Sequence, residues 1–160
     1  MPLEPLACLW SSALQVYVTP TTYCVPYPNL TAAQCALIQP RKLREHNVAE
    51  NAVLQGRVRA WEVRGWQFYY KSTDIVDEAD CEGVNSQLCA AAPRYFGDKY
   101  CLYGKMEPVA GGRTIPPLRF DILGTETLMW WRGGSVCGPA CHSGEQRIMP
   151  GYRAVPWDVL

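Results

Sequence analysis

The nearest approach to a cofactor motif lies late in the chain, where Cys137 and Cys141 are followed directly by His142. This order resembles the haem c attachment motif, in which two cysteines bind the porphyrin and the adjacent histidine is an axial ligand. The motif has two residues between its cysteines, whereas Gly-Pro-Ala separates this pair. A zinc or iron–sulfur site would need a fourth ligand from elsewhere. Disulfides are therefore the favoured role. A small metalloprotein or enzyme using these three side chains is the less favoured alternative, and no cofactor or metal is expected.

Other patterns for catalysis or ion binding are weaker. The acidic stretch from Asp74 to Glu82 could offer oxygen ligands to calcium, but it lacks the glycine of an EF-hand loop, so a solvated loop is favoured. The chain has two histidines, and no Gly-x-Ser-x-Gly sequence is present to hold a nucleophilic serine. The two carboxylates of a glycoside hydrolase have no fixed separation in the sequence, so such a pair could not be recognised from spacing. We therefore expect a protein that is not an enzyme and has no catalytic residues.

All of the cysteines are candidates for disulfides. Their even number permits complete pairing in many connectivities, and the absence of a Cys-x-x-Cys pair removes the usual sign of a zinc ribbon or a thioredoxin-like site. Each bridge would stabilise the fold by roughly 2–4 kcal/mol, mainly by restricting the unfolded chain. In a chain of this size the bridges would reinforce a core rather than replace one. The candidates are Cys8, Cys24, Cys35, Cys81, Cys89, Cys101, Cys137 and Cys141.

Disulfides indicate an oxidising environment: a secreted protein, the periplasm, or the surface of a virion or cell. Asn29-Leu30-Thr31 is a glycosylation sequon, which fits secretion but arises often by chance. The apolar stretch Leu6–Val18 follows no Lys or Arg and is interrupted by Gln15, so it makes a poor signal peptide. It is also too short to span a membrane. This combination predicts an extracellular or virion-surface location, reached by a component that oxidises after release.

The strongest predicted element that could position a binding surface is a β-hairpin. Residues 53–63 alternate, Arg64-Gly65 forms the turn, and residues 66–71 return. That register places Trp61 opposite Phe68 and Arg59 opposite Tyr70, which makes one face an aromatic ladder ending in a cation–π pair. Because Trp, Tyr and Arg dominate interface hot spots, such a face is typical of a protein interface. The interface candidates are Arg59, Trp61, Trp66, Phe68, Tyr70 and Trp157.

Frequent prolines and glycines divide the rest of the chain into short elements. Thr31 and Gln34 resemble a capping box that begins a short helix. The predicted strands are 13–18, 100–103 and a second hairpin of 118–122 with 127–131; the predicted helices are 31–38, 41–51 and 81–92.

Length and composition limit the fold class. The chain has 160 residues, 48% hydrophobic and 19% charged, which is typical of one globular domain. We predict a mainly β fold, sandwich-like or barrel-like or α+β, with one or two short helices. Residues 1–132 would form the compact β-rich domain, and residues 133–160 an extended C-terminal arm packed on it or on a neighbour.

The expected function follows from these features. Fifteen basic residues balance fifteen acidic ones, so the global charge favours neither nucleic acid nor an anionic membrane surface. A chain without net charge lacks repulsion between its copies. We therefore expect a non-enzymatic structural or interaction subunit of an extracellular or virion-type assembly, such as a phage or virus particle. Its partners would be copies of itself or neighbouring subunits. The alternative is a secreted, disulfide-bonded protein that binds a glycan or a receptor.

Overall fold

A computed structural model of the protein describes residues 3–39, 48–76, 86–89, 92–106, 128–131 and 153–154. The helices of this part are α1 (Glu4–Ala7), α2 (Pro28–Ala32) and α3 (Val48–Glu62), with 3₁₀ turns at Ser12–Leu14, Ser72–Asp74 and Ser86–Leu88. The strands are β1 (Tyr17–Val18), β2 (Thr22–Val25), β3 (Cys35–Leu37), β4 (Gln67–Tyr69), β5 (Arg94–Tyr95), β6 (Leu102–Lys105), β7 (Leu128–Trp130) and β8 (Arg153–Ala154).

The described strands form small sheets with different topologies. In the first sheet β2 lies between β1 and β6, and both pairings are antiparallel. In the second, β3 and β4 are parallel and are joined through α3, which is a crossover connection. In the third, β7 lies between β5, with which it is antiparallel, and β8, with which it is parallel. Distant parts of the chain are therefore brought together mainly by short strand pairings.

Apolar side chains from these elements pack into separate clusters. The first surrounds Phe96 and Trp130, whose ring centroids are 4.4 Å apart, and includes Tyr17 and Cys24 from the first sheet. The second lies between α3 and β3, where Leu54 and Val58 contact Trp10 and Ile38. The third is formed by Tyr27, Leu30, Leu37 and Leu88.

The predicted hairpin over residues 53–71 is wrong. Residues 48–62 form helix α3, and β4 pairs in parallel with β3 rather than folding back on residues 53–63. The alternating small and apolar residues also fit a helix, because Leu54, Val58 and Trp61 recur at helical spacing on one face. Leu54 and Val58 are buried there, and Trp61 is half-buried. The helical face was selected by its contacts with Trp10 and Ile38, which lie far away in sequence.

Other predicted elements are partly correct. The strand predicted at 100–103 corresponds to β6, and the returning strand at 127–131 corresponds to β7, whereas residues 118–122 lie outside the described part. In the predicted strand 13–18, only Tyr17–Val18 is extended. The predicted helix over 31–38 is wrong, because α2 ends at Ala32, Gln34 has a left-handed φ of 53°, and residues 35–37 form β3. Of the predicted helix over 41–51, residues 48–51 are described and begin α3, while 41–47 lie outside the described part. Of the predicted helix over 81–92, the described residues include a 3₁₀ turn.

The fold class is thus mixed, with helices and a substantial share of strands. The division at residue 132 stays a prediction, although one strand of the proposed arm, β8, pairs with β7. Within the described part, no helix combines the length and apolar character needed to cross a lipid bilayer.

Candidate functional site: a buried arginine beside two thiols

The most unusual chemical feature of the described residues is a guanidinium in the interior. Arg94 is the first residue of β5, opposite Trp130 of β7, and its side chain is completely buried. Its Nε and Nη2 atoms donate to the Asp98 carboxylate at 2.6 and 3.1 Å, and Nη2 also donates to the Pro26 carbonyl oxygen at 2.7 Å. A buried charge is tolerated only when such bonds replace its hydration.

Asp98 owes its position to the tight turn between β5 and β6. Its backbone N–H donates to the carbonyl oxygen of Tyr95, and Gly97 before it has a φ of +90°, a left-handed conformation that suits glycine. The Asp98 carboxylate accepts hydrogen bonds from the backbone N–H of Tyr100 at 3.0 Å and of Tyr95 at 3.4 Å. The carboxylate therefore both closes the turn and neutralises Arg94.

Two aromatic rings flank the guanidinium. Its central carbon lies 4.5 Å from the ring centroid of Tyr27 and 5.6 Å from that of Tyr100, both within the range of cation–π attraction. Burial alone would disfavour the charged form. Tyr27 and the hydrogen bond and charge of Asp98 outweigh burial and raise the pKa of Arg94 above its ordinary value. We call Arg94, Asp98, Tyr27 and Tyr100 the Arg94 centre.

Two thiols lie against the Arg94 centre. Cys24 in β2 is fully buried, and the half-buried Cys101 immediately precedes β6 and packs against the same apolar cluster. The Sγ of Cys101 lies 3.6 Å from Arg94 Nη2 and 3.6 Å from the Tyr95 carbonyl oxygen. Each thiol perturbs the acidity of the other, so Cys24 and Cys101 are close neighbours. No two cysteine sulfurs of the described part are at bonding distance.

The two thiols differ in acidity. The hydrogen bond from Cys101 lowers the pKa of Cys24; burial and Asp98 oppose this, while the Gly97 backbone and Arg94 add to it. The hydrogen bond to Cys24, burial and Asp98 raise the pKa of Cys101, and Arg94 only partly offsets them. Cys24 is therefore the more acidic thiol of the pair. One thiolate beside a retained thiol is an arrangement suited to thiol–disulfide exchange.

The predicted disulfide cysteines are placed as follows. Cys8 follows α1 and packs against the same cluster as Cys24 and Cys101. Cys35 begins β3, where its thiol donates to the Ala33 carbonyl oxygen at 3.5 Å, and Cys89 follows the 3₁₀ turn at Ser86–Leu88. Three further cysteines, together with His142, lie outside the described residues: Cys81, Cys137 and Cys141. Among the described residues, no three His, Cys, Asp or Glu side chains converge as metal ligands would.

The interface candidates do not form the predicted ladder. Phe68 turns inward and stacks on Trp10 with ring centroids 5.5 Å apart, and Trp61 meets Trp66 edge to face at 5.3 Å. Arg64, rather than Arg59, lies over an aromatic ring, 6.0 Å from the Trp61 centroid. Of the remaining candidates, Arg59 is exposed on α3, and Trp157 lies outside the described part. Tyr70 is also exposed, and its hydroxyl accepts a hydrogen bond from Gln55 at 3.2 Å.

An exposed apolar surface occurs instead on the first sheet. Val18, Tyr23 and Gly104 are in register across β1, β2 and β6, and Val25 is in register with Leu102, so their side chains share one face. Val18 is 67% exposed and Leu102 52% exposed. Met106, which continues β6, is 39% exposed. We call Val18, Tyr23, Val25, Leu102 and Met106 the outer face; Tyr17 and Cys24 on the opposite side of the sheet face the core.

Sequence reasoning missed both the Arg94 centre and the outer face. The spacing of Arg94 and Asp98 was a signal, as was the glycine before Asp98, which is typical of a turn. Nothing in that spacing distinguishes a buried pair from a solvated one. No known protein family matches this chain, and neither a curated protein nor a solved structure matches it.

Proposed function

We propose that the protein is a non-enzymatic structural or interaction subunit of an extracellular or virion-type assembly. The outer face is the observation that carries this proposal. Monomeric proteins rarely present contiguous apolar surface unless it binds a partner or a ligand. Val18 and Leu102 are aliphatic and share one face of the first sheet, and an apolar face of this kind suits contact with another protein surface.

The Arg94 centre supports the same proposal indirectly. Its charge is held by Asp98 and by the Pro26 carbonyl, which are parts of the fold, and the side chain has no exposed surface. A cation that recognised a substrate would need an accessible face. In our proposal the centre therefore stabilises the subunit. The small sheets of the described part belong to a sandwich-like or barrel-like body that stays folded outside the cell. Copies of the chain or neighbouring subunits are its partners, without nucleic acid.

Self-association of the full chain tests this proposal. Size-exclusion chromatography with light scattering should give a mass that rises with protein concentration. The double substitution Val18→Thr and Leu102→Thr should weaken association by about tenfold or more, as expected for the loss of central apolar contacts. Val63→Thr is the matched control, because Val63 is 89% exposed but directly follows α3 and is not part of the first sheet.

Two outcomes would count against the proposal. A monomer at every concentration, also when mixed with its natural neighbours, would favour the alternative of a secreted protein that binds a glycan or a receptor. Equal effects of the double substitution and of Val63→Thr would mean that the outer face is not the contact surface.

A further inference from the structure

The strand register brings two thiols of distant sequence to one face of a sheet. Cys24 pairs with Tyr103 and Val25 with Leu102, so Cys101 is the next residue along and lies diagonally across from Cys24. Side chains on such a diagonal share a face and come within reach of each other. Cys24 belongs to the cluster around Phe96 and Trp130 and Cys101 packs against it, which places the two thiols side by side.

The surroundings of this pair favour a reaction with disulfides. Arg94 Nη2 is 3.6 Å from Cys101 Sγ, and Arg94 Nη1 is buried without a hydrogen-bond acceptor among the described residues. A guanidinium in this position stabilises a neighbouring thiolate, which is the reactive form of cysteine. Asp98 acts in the opposite direction, but its carboxylate is already engaged by Arg94 and by the Tyr100 backbone.

We propose that Cys24 and Cys101 form a thiol pair that closes to an intramolecular disulfide by exchange with a small-molecule disulfide. This pair is one of the disulfides that the chain's eight cysteines could form. It does not rest on the assembly role, since closure depends only on the folded chain and on the oxidant.

The exchange has two steps. Cys24, the more acidic thiol, carries the charge of the singly deprotonated pair. The Cys101 proton passes to Cys24 as the half-buried Cys101 attacks one sulfur of the oxidant, forms a mixed disulfide and releases the first small thiolate. Cys24 then loses this proton, attacks Cys101 Sγ and expels the second small thiolate. The two protein thiols lose two electrons and two protons in total, and the oxidant takes them up to become two small thiols. Cys24 is fully buried, so it acts as the resolving cysteine.

The test uses the full, folded and reduced chain, incubated with mixtures of reduced and oxidised glutathione and then alkylated. Trypsin leaves Cys8, Cys24 and Cys35 together in residues 1–41 and Cys101 in residues 100–105. Chymotrypsin then separates the first three by cutting after Leu9, Tyr23 and Leu30. Mass spectrometry should find Cys101 linked to Cys24 in at least about tenfold excess over Cys8 or Cys35, because proximity favours intramolecular closure.

Variants and a denatured control distinguish this pair from chance linkage. In Cys24→Ala, Cys101 should stop at the mixed disulfide with glutathione, whereas Cys35→Ser should leave closure unchanged. Oxidation in denaturant should abolish the preference for Cys24. Linkage of Cys24 or Cys101 to Cys8, or a persistent glutathione adduct on Cys101 of the unsubstituted chain, would overturn the proposal. Linkage to Cys8 and the persistent adduct are both measured on the unsubstituted chain, so these tests hold even if a variant fails to fold.

Discussion

Around Arg94 the interior is charged and hydrogen-bonded, whereas beneath α3 it is formed by apolar side chains. Arg94 and Asp98 meet at 2.6 Å with both side chains buried. Beneath α3, Leu54 and Val58 pack on Trp10 and Ile38. Charged interactions are directional and fail when one partner is lost, while apolar packing loses stability in proportion to the volume removed. The two regions should therefore respond differently to small substitutions.

The largest effect is expected from Asp98→Asn. The substitution keeps the size of the side chain and one oxygen for the Tyr100 backbone, but it leaves the Arg94 charge buried without its counterion. Loss of one partner of a buried pair costs about 3–5 kcal/mol. Urea unfolding measures this cost. Asp74→Asn is the control: Asp74 is exposed and accepts a bond from the Lys71 backbone, so it should cost less than about 1 kcal/mol. Equal costs for the two substitutions would contradict the comparison.

An intermediate effect is expected beneath α3. Leu54→Ala removes a buried side chain that is only 4% exposed and leaves a cavity against Trp10 and Ile38, which should cost about 3 kcal/mol. Its neighbour Val53 is 57% exposed, so Val53→Ala should change the free energy of unfolding by less than about 0.5 kcal/mol. Denaturant unfolding measures the free energy of unfolding of both variants. A similar loss of stability in each would show that the face of α3 assigned to the core is wrong.

The smallest effects, of opposite sign, are expected from glycine-to-alanine substitutions in two elements next to these regions, β6 and α3. A Cβ at Gly104 would lie 2.6 Å from Cζ of Tyr23, so Gly104→Ala should displace that ring and cost about 1 kcal/mol. Gly56 in α3 has open space around it, so Gly56→Ala should stabilise the protein by roughly 0.5–1 kcal/mol through helix propensity. Thermal unfolding measures both. If the Gly104→Ala cost persists after Tyr23→Leu, the ring contact is not its cause.

Particular elements show how far the sequence could be interpreted. The strands β6 and β7 were predictable because each lies in a short run of apolar and aromatic residues that is bordered by turn residues. The helix α3 was not, because residues 53–63 fit both a period of two and helical spacing, and only Trp10 and Ile38 select the helix. The predicted aromatic ladder failed with it, since Phe68 packs against the apolar cluster beneath α3 rather than lying on an open face.

The candidate site was less predictable than the fold. Cys24 and Cys101 were both recognised as disulfide candidates, but spacing could not choose between them and the other cysteines. Their contact depends on the pairing of β2 with β6 across more than seventy intervening residues. The Arg94 centre depends on the same pairing, because Pro26 and Tyr27 directly follow β2.

By itself the sequence determined the residue types that any chemistry here must use: eight cysteines, balanced charge and enough apolar side chains for a core. Only the tertiary structure decided that Arg94 is buried, that Asp98 neutralises it, and that Cys24 and Cys101 are neighbours. The physical reason is that burial and strand register are properties of contacts between distant segments. The pKa of a thiol and the energy of an ion pair depend on those contacts, and neither is encoded by local spacing.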